Sequence, residues 1–148
     1  MFKHILVPID GSEISLVAGR KAITLAKVFK AKMTAVTASA SFRQLTDEGY
    51  LVPIADFSRR EWETGVATRA GAILNRFASE AKNAGVACKV VHVFDDQPHQ
   101  AIINTAKKSN CDLIVMGSHG YGGFKQLMLG SETLRVLSNS KIPVLVYR

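Results

Sequence analysis

Residues 116–131 read MGSHGYGGFKQLMLGS, and this glycine-rich segment joins a short apolar run to an amphipathic one. The apolar run, residues 113–116, is typical of a strand that is covered on both faces of a sheet. After the segment, residues 131–137 predict the start of a helix, with Ser131 near its cap. Strand-to-helix connections usually take about two to six residues, so a longer connection in this position indicates a functional loop.

The composition of the loop suits a phosphate group. Its glycines, at positions 117, 120, 122, 123 and 130, permit positive backbone angles and let amide groups approach a ligand without interference from a Cβ atom. The free amides and the dipole of the following helix favour an anion. The alternative is that Gly117 and Gly120 only shape a surface turn, while Gly130 and Ser131 only cap a helix.

Strand and helix patterns alternate along the whole chain. The predicted strands are His4–Ile9, Met33–Ala38, Val86–Phe94, the run that ends at Met116, and Lys141–Tyr147. The predicted helices are Glu13–Lys30, a long helix that ends at Ala84 before Gly85, a helix opened by Pro98, and the helix after the loop. This alternation predicts one α/β domain over residues 1–148, a doubly wound, parallel, five-stranded sheet with four helices. The polar stretch 39–54 is either a lid or a mobile connection.

Composition narrows the class of protein. A chain of 148 residues is long enough to bury about 68–70% of its unfolded surface, so it needs no disulfide. Cys88 and Cys111 form no metal-ligand or CxxC pattern, and we expect two reduced core thiols. Neither a signal peptide nor a run of about 20 apolar residues is present, which predicts a cytoplasmic protein without a membrane span. The charge of +7 is scattered along the sequence, which disfavours a nucleic-acid surface.

The spacing of the loop glycines is specific. Gly117, two residues, Gly120, nine residues and then Gly130-Ser131 resembles the nucleotide-binding signature of the universal stress protein family. The resemblance extends to Ile5–Ser12 and to Ile142–Val146, and it therefore spans nearly the entire chain. It implies a Rossmann-like fold of the adenine nucleotide α-hydrolase type with strand order 3-2-1-4-5. The ligand would lie where the first and fourth strands end, at the point where chain order reverses.

The resemblance also implies individual site residues. The nucleotide-binding positions are Pro8, Ile9, Asp10, Ala38, Met116, Gly117, Gly120, Gly130, Ser131 and Glu132. The first three would line the base and ribose, the backbone of Ala38 would meet adenine, Met116 would pack nearby, and the remainder would wrap ribose and phosphates. Asp10 has a second reading as the cap of the first helix.

Glu132 departs from the family pattern, in which a small apolar residue is common at this position. Its carboxylate either points away and stabilises a helix start or repels a triphosphate. Asp96 is a second departure, since a glycine is common two residues before the proline that opens the third helix. We interpret His119 and Lys125 as solvated loop side chains rather than as catalytic or phosphate-binding groups.

The resemblance implies an ATP-binding stress-response regulator rather than an enzyme. Mg²⁺ or Mn²⁺ would accompany the nucleotide, and no catalytic residue or protein-only metal site is predicted. The family also implies a homodimer through the strand Val144–Tyr147 and a protein partner that reads the nucleotide state. The alternatives are a slow nucleotide hydrolase that uses Asp10 and a metal ion, and a stress protein that binds no nucleotide. The loop has no Walker lysine and no evident arginine clamp, which disfavours phosphoryl-transfer chemistry.

Overall fold

The computed structural model describes residues 1–42, 59–119 and 129–148, in which five strands alternate with four helices. The strands are β1 (His4–Pro8), β2 (Lys32–Ser39), β3 (Cys88–Phe94), β4 (Leu113–Gly117) and β5 (Val144–Tyr147). The helices are α1 (Glu13–Phe29), α2 (Arg59–Asn83), α3 (Pro98–Lys108) and α4 (Ser131–Asn139). All strands pair in parallel, in the order β3-β2-β1-β4-β5. The predicted architecture and strand order are therefore confirmed.

Two apolar cores enclose the sheet, one on each face. Helices α1 and α2 cover the first face, where α1 packs against β1 and β4, while α2, which contributes Leu74 and Phe77 to the same core, packs against β2 and β3. Helices α3 and α4 cover the second face, where α3 packs against β2 and α4 against β5, and Ile103 and Val136 belong to the core on this face. The central strands are thus buried on both sides, which explains why each reads as a continuous apolar run.

The element boundaries follow from local hydrogen bonding. Pro98 opens α3 as predicted, since a first-turn residue needs no amide donor. Gly85, at φ 80°, follows α2 as its predicted stop. β3 begins at Cys88 rather than at Val86, because the Val86 amide donates to Ala81 O (2.9 Å) at the end of α2.

The last strand also begins later than predicted. The Ile142 amide donates to Ser140 Oγ (3.0 Å), so this segment forms a turn, and β5 pairs with β4 only from Val144 onward. Residues 43–54 of the predicted lid or mobile connection, together with the beginning of the long second helix before residue 59, lie outside the described residues.

The sheet opens between β1 and β4. β1 pairs with β2 over its whole length, but with β4 only at Ile5↔Leu113 and Leu6↔Ile114. Backbone groups alternate sides along a strand, and the Ile9 amide donates to Val36 O of β2 (2.8 Å). The backbone nitrogen of residue 8 consequently faces β4, and as a proline it has no hydrogen to donate. Pro8 therefore ends this ladder and leaves the carboxyl ends of the two central strands apart.

Candidate functional site

The carboxyl edge of the sheet brings together the predicted base and ribose residues. Ile9 is buried at the end of β1, whereas Asp10 is exposed directly after it. Met116 and Gly117 end β4 and are both buried. Ala38 lies half-buried near the end of β2, next to Val93 of β3. These positions come from three neighbouring strands that all end at one edge, where ligands bind in open parallel sheets.

Two contacts fix the backbone at this edge. The buried Thr37 hydroxyl donates to Ile9 O and ties the end of β1 to β2. At the end of β4, a Cβ atom on Gly117 would lie 3.0 Å from Ile14 Cγ1 and 3.2 Å from Ile14 O. The first turn of α1 therefore packs directly on Gly117, and a larger residue there would push the helix and the strand apart.

Asp10 shapes the turn between β1 and α1. Its Oδ1 accepts a hydrogen bond from the Ser12 amide (2.8 Å), and the following Gly11 has a φ of 85°. The N-cap of α1 is Ser12, whose Oγ accepts from the Ser15 amide (3.3 Å). The reading of Asp10 as the helix cap is thus wrong. Ser12 fills that role instead. The bond from the Ser12 amide holds the carboxylate of Asp10 at the exposed edge.

The two ends of the glycine loop meet. The Gly130 amide donates to Ser118 O (2.7 Å), and a Cβ atom on Gly130 would lie 3.1 Å from His119 Cα. Gly130 is the N-cap of α4, so the prediction that Ser131 lies near the cap is off by one residue, and Ser131 begins the helix. A glycine cap offers no side-chain acceptor to the first-turn amides of α4, which makes them suitable donors to an anion.

Thr133 attaches the start of α4 to the end of β4. Its buried hydroxyl donates to Gly117 O (3.1 Å). The amino terminus of α4 therefore lies against the strand end that carries Met116 and Gly117. No local pattern predicts this bond, because it joins residues 16 positions apart.

The Glu132 carboxylate is engaged by α3. Oε2 accepts from the His99 amide (2.8 Å) and lies 3.1 Å from His99 Nδ1, while Oε1 accepts from Arg135 (2.8 Å). Gln97, the N-cap of α3, makes no side-chain cap bond, so Glu132 satisfies a first-turn amide of α3 in its place. Of the two predicted alternatives for Glu132, stabilisation of a helix start is the one that these bonds favour, and the helix is α3.

Of the remaining residues singled out from sequence, His119 and Asp96 lie within the described part of the chain. His119 is half-buried rather than fully solvated, and its Nδ1 lies 3.0 Å from Ser118 Oγ. Gly120 and Lys125 lie outside the described residues. The second departure from the family pattern, Asp96, accepts a hydrogen bond from the Ser41 amide (2.8 Å) and so joins the β3–α3 connection to the end of β2.

The thiols and carboxylates build no metal or redox centre in the described part of the chain. Burial raises the pKa of Cys88 to about 11 and that of Cys111 to about 11, which favours the protonated thiol in both. Cys111 lies in the core as predicted, whereas Cys88 is only partly buried. Within residues 1–42, 59–119 and 129–148, no three histidine, cysteine or acidic side chains are grouped in a way that could hold a metal ion. Among the same residues, no helix has the length and apolar character that crossing a membrane requires.

Comparisons with a family model and with individual relatives indicate the same protein family. The model of the universal stress protein family matches residues 1–148. The universal stress protein MJ0531 of Methanocaldococcus jannaschii is 33% identical over 150 residues, an alignment that covers all of this chain and 83% of the relative.

Two solved structures share the fold over nearly the whole chain. The structure of MJ0577 from M. jannaschii superposes with a TM-score of 0.82 at 26% identity, covering 99% of this chain and 95% of that one. A universal stress protein solved in complex with cAMP has a TM-score of 0.67 at 26% identity, with coverage of 99% and 97%.

Proposed function

Because the chain belongs to the universal stress protein family, we propose that it binds an adenine nucleotide, ATP foremost, where β1 and β4 end. In this proposal the protein is a cytoplasmic stress-response regulator rather than a dedicated enzyme. A partner protein reads its nucleotide state, and Mg²⁺ or Mn²⁺ enters with the phosphates. The observation that carries the proposal is the opening between β1 and β4, with the amino terminus of α4 placed beside it.

The site residues divide by the part of the nucleotide that they would contact. The base and ribose side comprises Pro8, Ile9, Asp10, Ala38 and Met116, and the phosphate side comprises Gly117, Gly120, Gly130, Ser131 and Glu132. Because the Gly130 amide already donates to Ser118, Gly130 contributes close approach rather than a hydrogen bond. The first-turn amides of α4 supply the donors. The complex of a related protein with cAMP supports an adenine ligand that carries a phosphate.

Calorimetry with a paired set of glycine variants tests the nucleotide site. ATP, ADP, AMP and cAMP are titrated into the protein with and without Mg²⁺. Gly130→Ala places a Cβ atom 3.1 Å from His119 Cα, so the loop ends must shift apart slightly, and we expect ATP binding to weaken by a few-fold to about tenfold, since binding depends on the placement of the donors. Gly71→Ala, where no atom lies within 4 Å of the added Cβ, serves as the control and should bind like the wild type.

The outcomes separate the competing functions. Binding of adenine nucleotides that Gly130→Ala weakens and Gly71→Ala leaves unchanged supports the proposed site. The absence of heat with all four nucleotides would favour the stress protein that binds none. Binding that is equal in Gly130→Ala and wild type would place the nucleotide elsewhere on the molecule.

Slow nucleotide hydrolysis is the second candidate function. The observation that favours it is the exposed carboxylate of Asp10, which the Ser12 amide holds at the edge where phosphates and a metal ion would lie. Hydrolysis that depends on Asp10 should vanish in Asp10→Asn, whereas ATP binding measured by calorimetry should persist. Turnover unaffected by this substitution would belong to a contaminant or to other residues.

We also propose a homodimer through β5. Val144–Tyr147 is an edge strand with β4 as its neighbour, and Leu145 on β5 is 38% exposed. Leu134 and Leu137 of α4 add further exposed apolar area. An edge of this kind is normally paired or covered. Light scattering at micromolar concentration should give the mass of a dimer, and Leu145→Lys should shift the mass toward the monomer. A wild-type monomer would exclude this proposal.

A further inference from the structure

A second cleft lies at the opposite edge of the sheet from the proposed nucleotide site. Its volume is about 450 Å³, which is within the range of small-molecule sites. The polar lining comes from the amino ends of β1, β2 and β3 and from the carboxyl end of α3, and consists of His4, Lys32, Thr34, Cys88, Lys89, Lys108 and Ser109. A five-residue strand such as β1 separates the two edges by roughly 16 Å, so one small ligand cannot occupy both sites. We call this second site the amino-edge cleft.

The charge of the amino-edge cleft has a single sign. Lys32 of β2, Lys89 of β3 and Lys108 of α3 all line it, and no carboxylate residue does. Across the described residues, none of these lysines takes part in an ion pair. The register of the parallel strands explains the convergence, since Lys32 lies opposite His4 and Lys89 opposite Thr34. Lysines that look scattered in sequence are thereby brought together by the fold.

The dipole of α3 explains the position of only one of the three lysines that line the cleft. Lys108 is in the last turn of α3, where a cation is the ordinary complement to the helix dipole. Lys32 and Lys89 lie on strands, for which no such complement is needed. All three lysines are solvent-exposed and no carboxylate lines the cleft, so their ammonium groups are accessible to an anion.

His4 provides an independent observation at the wall of the cleft. The side chain is 7% exposed, and its Nε2 lies 2.8 Å from Thr34 Oγ1. The buried Nδ1 has no partner that meets full hydrogen-bond geometry, although a backbone hydrogen-bond interaction with Ser109 raises the pKa of the ring. Buried polar atoms in native proteins nearly always have a partner. A ring nitrogen without a well-formed hydrogen bond, at the wall of a cleft that three lysines line, is a suitable contact for an anion.

We propose that the amino-edge cleft binds a small phosphate-type anion through the ammonium groups of Lys32, Lys89 and Lys108, with His4 at its wall. The three lysines suit phosphate because ammonium groups on flexible stems act as point charges toward its oxygens. The anion is either free phosphate or pyrophosphate, or the phosphate group of a small organic molecule. This site does not depend on nucleotide binding at the carboxyl edge.

The His4 ring offers a readout that is specific to this cleft. Burial is the main cause that lowers the pKa of His4, and the positive charges of Lys32 and Lys89 lower it further. Asp112 and the Ser109 carbonyl act in the opposite direction. An anion among the lysines cancels part of their effect. Occupancy of the cleft should therefore raise the pKa of His4.

The test is an NMR titration of pyrophosphate into the full chain, with amide and histidine signals followed at several pH values. We expect saturable shifts at Lys89 and Ser109 and a rise in the pKa of His4. Lys32→Gln/Lys89→Gln should weaken this binding by about tenfold or more, since each variant removes a charge-assisted contact. Lys21→Gln/Lys82→Gln changes the net charge equally but alters no lining residue, and it should bind like the wild type.

Parallel titrations identify the source of the phosphate and can overturn the proposal. Inorganic phosphate, pyrophosphate and glycerol phosphate are compared, and the tightest binder shows whether an organic body contributes. Shifts confined to Gly117 and Ser131 would assign the anion to the carboxyl edge instead. The proposal is also overturned if the lysine pair and its control bind equally, or if a DNA duplex shifts the cleft signals and pyrophosphate does not.

Discussion

At the scale of single residues, Glu132 shows how one side chain can serve a neighbouring element. The sequence predicted that its carboxylate either stabilises a helix start or repels a triphosphate. In the structure its two oxygens accept bonds from His99 of α3 and Arg135 of α4. The carboxylate therefore belongs to the packing of the two helices that cover one face of the sheet, and Arg135 offsets its charge.

Substitution of Glu132 should reveal this structural role. Glu132→Ala removes the acceptor of the His99 amide, and we expect the free energy of unfolding to fall by about 1–2 kcal/mol. Glu132→Gln retains an acceptor oxygen and should lose less. Urea denaturation of both variants measures the difference. Equal losses would mean that the charge, rather than the hydrogen bond to α3, carries the effect.

At the scale of elements, two helical glycines have opposite surroundings. A Cβ atom on Gly19 of α1 would lie 2.5 Å from Phe77 Cε2 of α2 and 3.0 Å from Ile9 Cδ1 of β1. Gly19 is thus the position that lets α1 and α2 pack closely over β1. Gly71 of α2 has no neighbouring atom within 4 Å of its would-be Cβ, so packing gives no reason for a glycine there.

Replacing each glycine by alanine should change stability in opposite directions. Gly71→Ala reduces the backbone entropy that α2 loses on folding, and we expect a gain of about 0.5–1 kcal/mol. Gly19→Ala overpacks the contact with Phe77, and we expect a loss of about 1–3 kcal/mol. The midpoints of chemical denaturation give both values. A stabilised Gly19→Ala variant would show that the helices can move apart at little cost.

The same scale shows what the sequence could predict. Hydrophobic periodicity, Gly85 and Pro98 predicted the elements and their order, because these signals are local. The sequence did not predict the later starts of β3 and β5, because these depend on the hydrogen-bond acceptors of the Val86 and Ile142 amides. The glycine loop could be recognised by its spacing. The bonds from Glu132 to His99 and from Thr133 to Gly117 could not, because each joins residues distant in sequence.

At the scale of the whole molecule, the two edges of the sheet have different electrostatic character. The carboxyl edge offers helix amides and a glycine loop, whereas the amino edge gathers lysines around a buried histidine. Burial is the main cause that lowers the pKa of His4 and also that of His92 below the ordinary value of 6.5. The folded protein therefore favours the neutral form of both rings.

This preference predicts a stability profile in acid. The unfolded chain takes up protons near pH 6.5, above the pKa values of the folded protein, so the free energy of unfolding should fall as the pH drops through 6.5. It should be constant, as far as these rings are concerned, above about pH 7.5. Urea denaturation from pH 8 to 5 measures the profile, and NMR titration assigns it. A pKa of 6.5 or more for His4 and for His92 would contradict the prediction.

Asp112 acts in a separate pH window. Burial alone would raise the pKa of its carboxyl group, but hydrogen bonds from the His4 and Lys3 amides outweigh burial and lower it below 3.8. Its contribution is present above that pH and is lost only as the pH falls through the folded value. Loss of stability near pH 6 therefore cannot come from this carboxylate.

The proline at position 8 has a mechanical consequence. By ending the ladder between β1 and β4, it divides the sheet into a three-strand part and a two-strand part that are bonded to each other only at one end. Helix α1 packs on both β1 and β4 and so bridges the two parts on one face of the sheet. A ligand bound where these strands end would join the same two parts through their backbone, and we expect its occupancy to protect the ends of both strands from amide exchange.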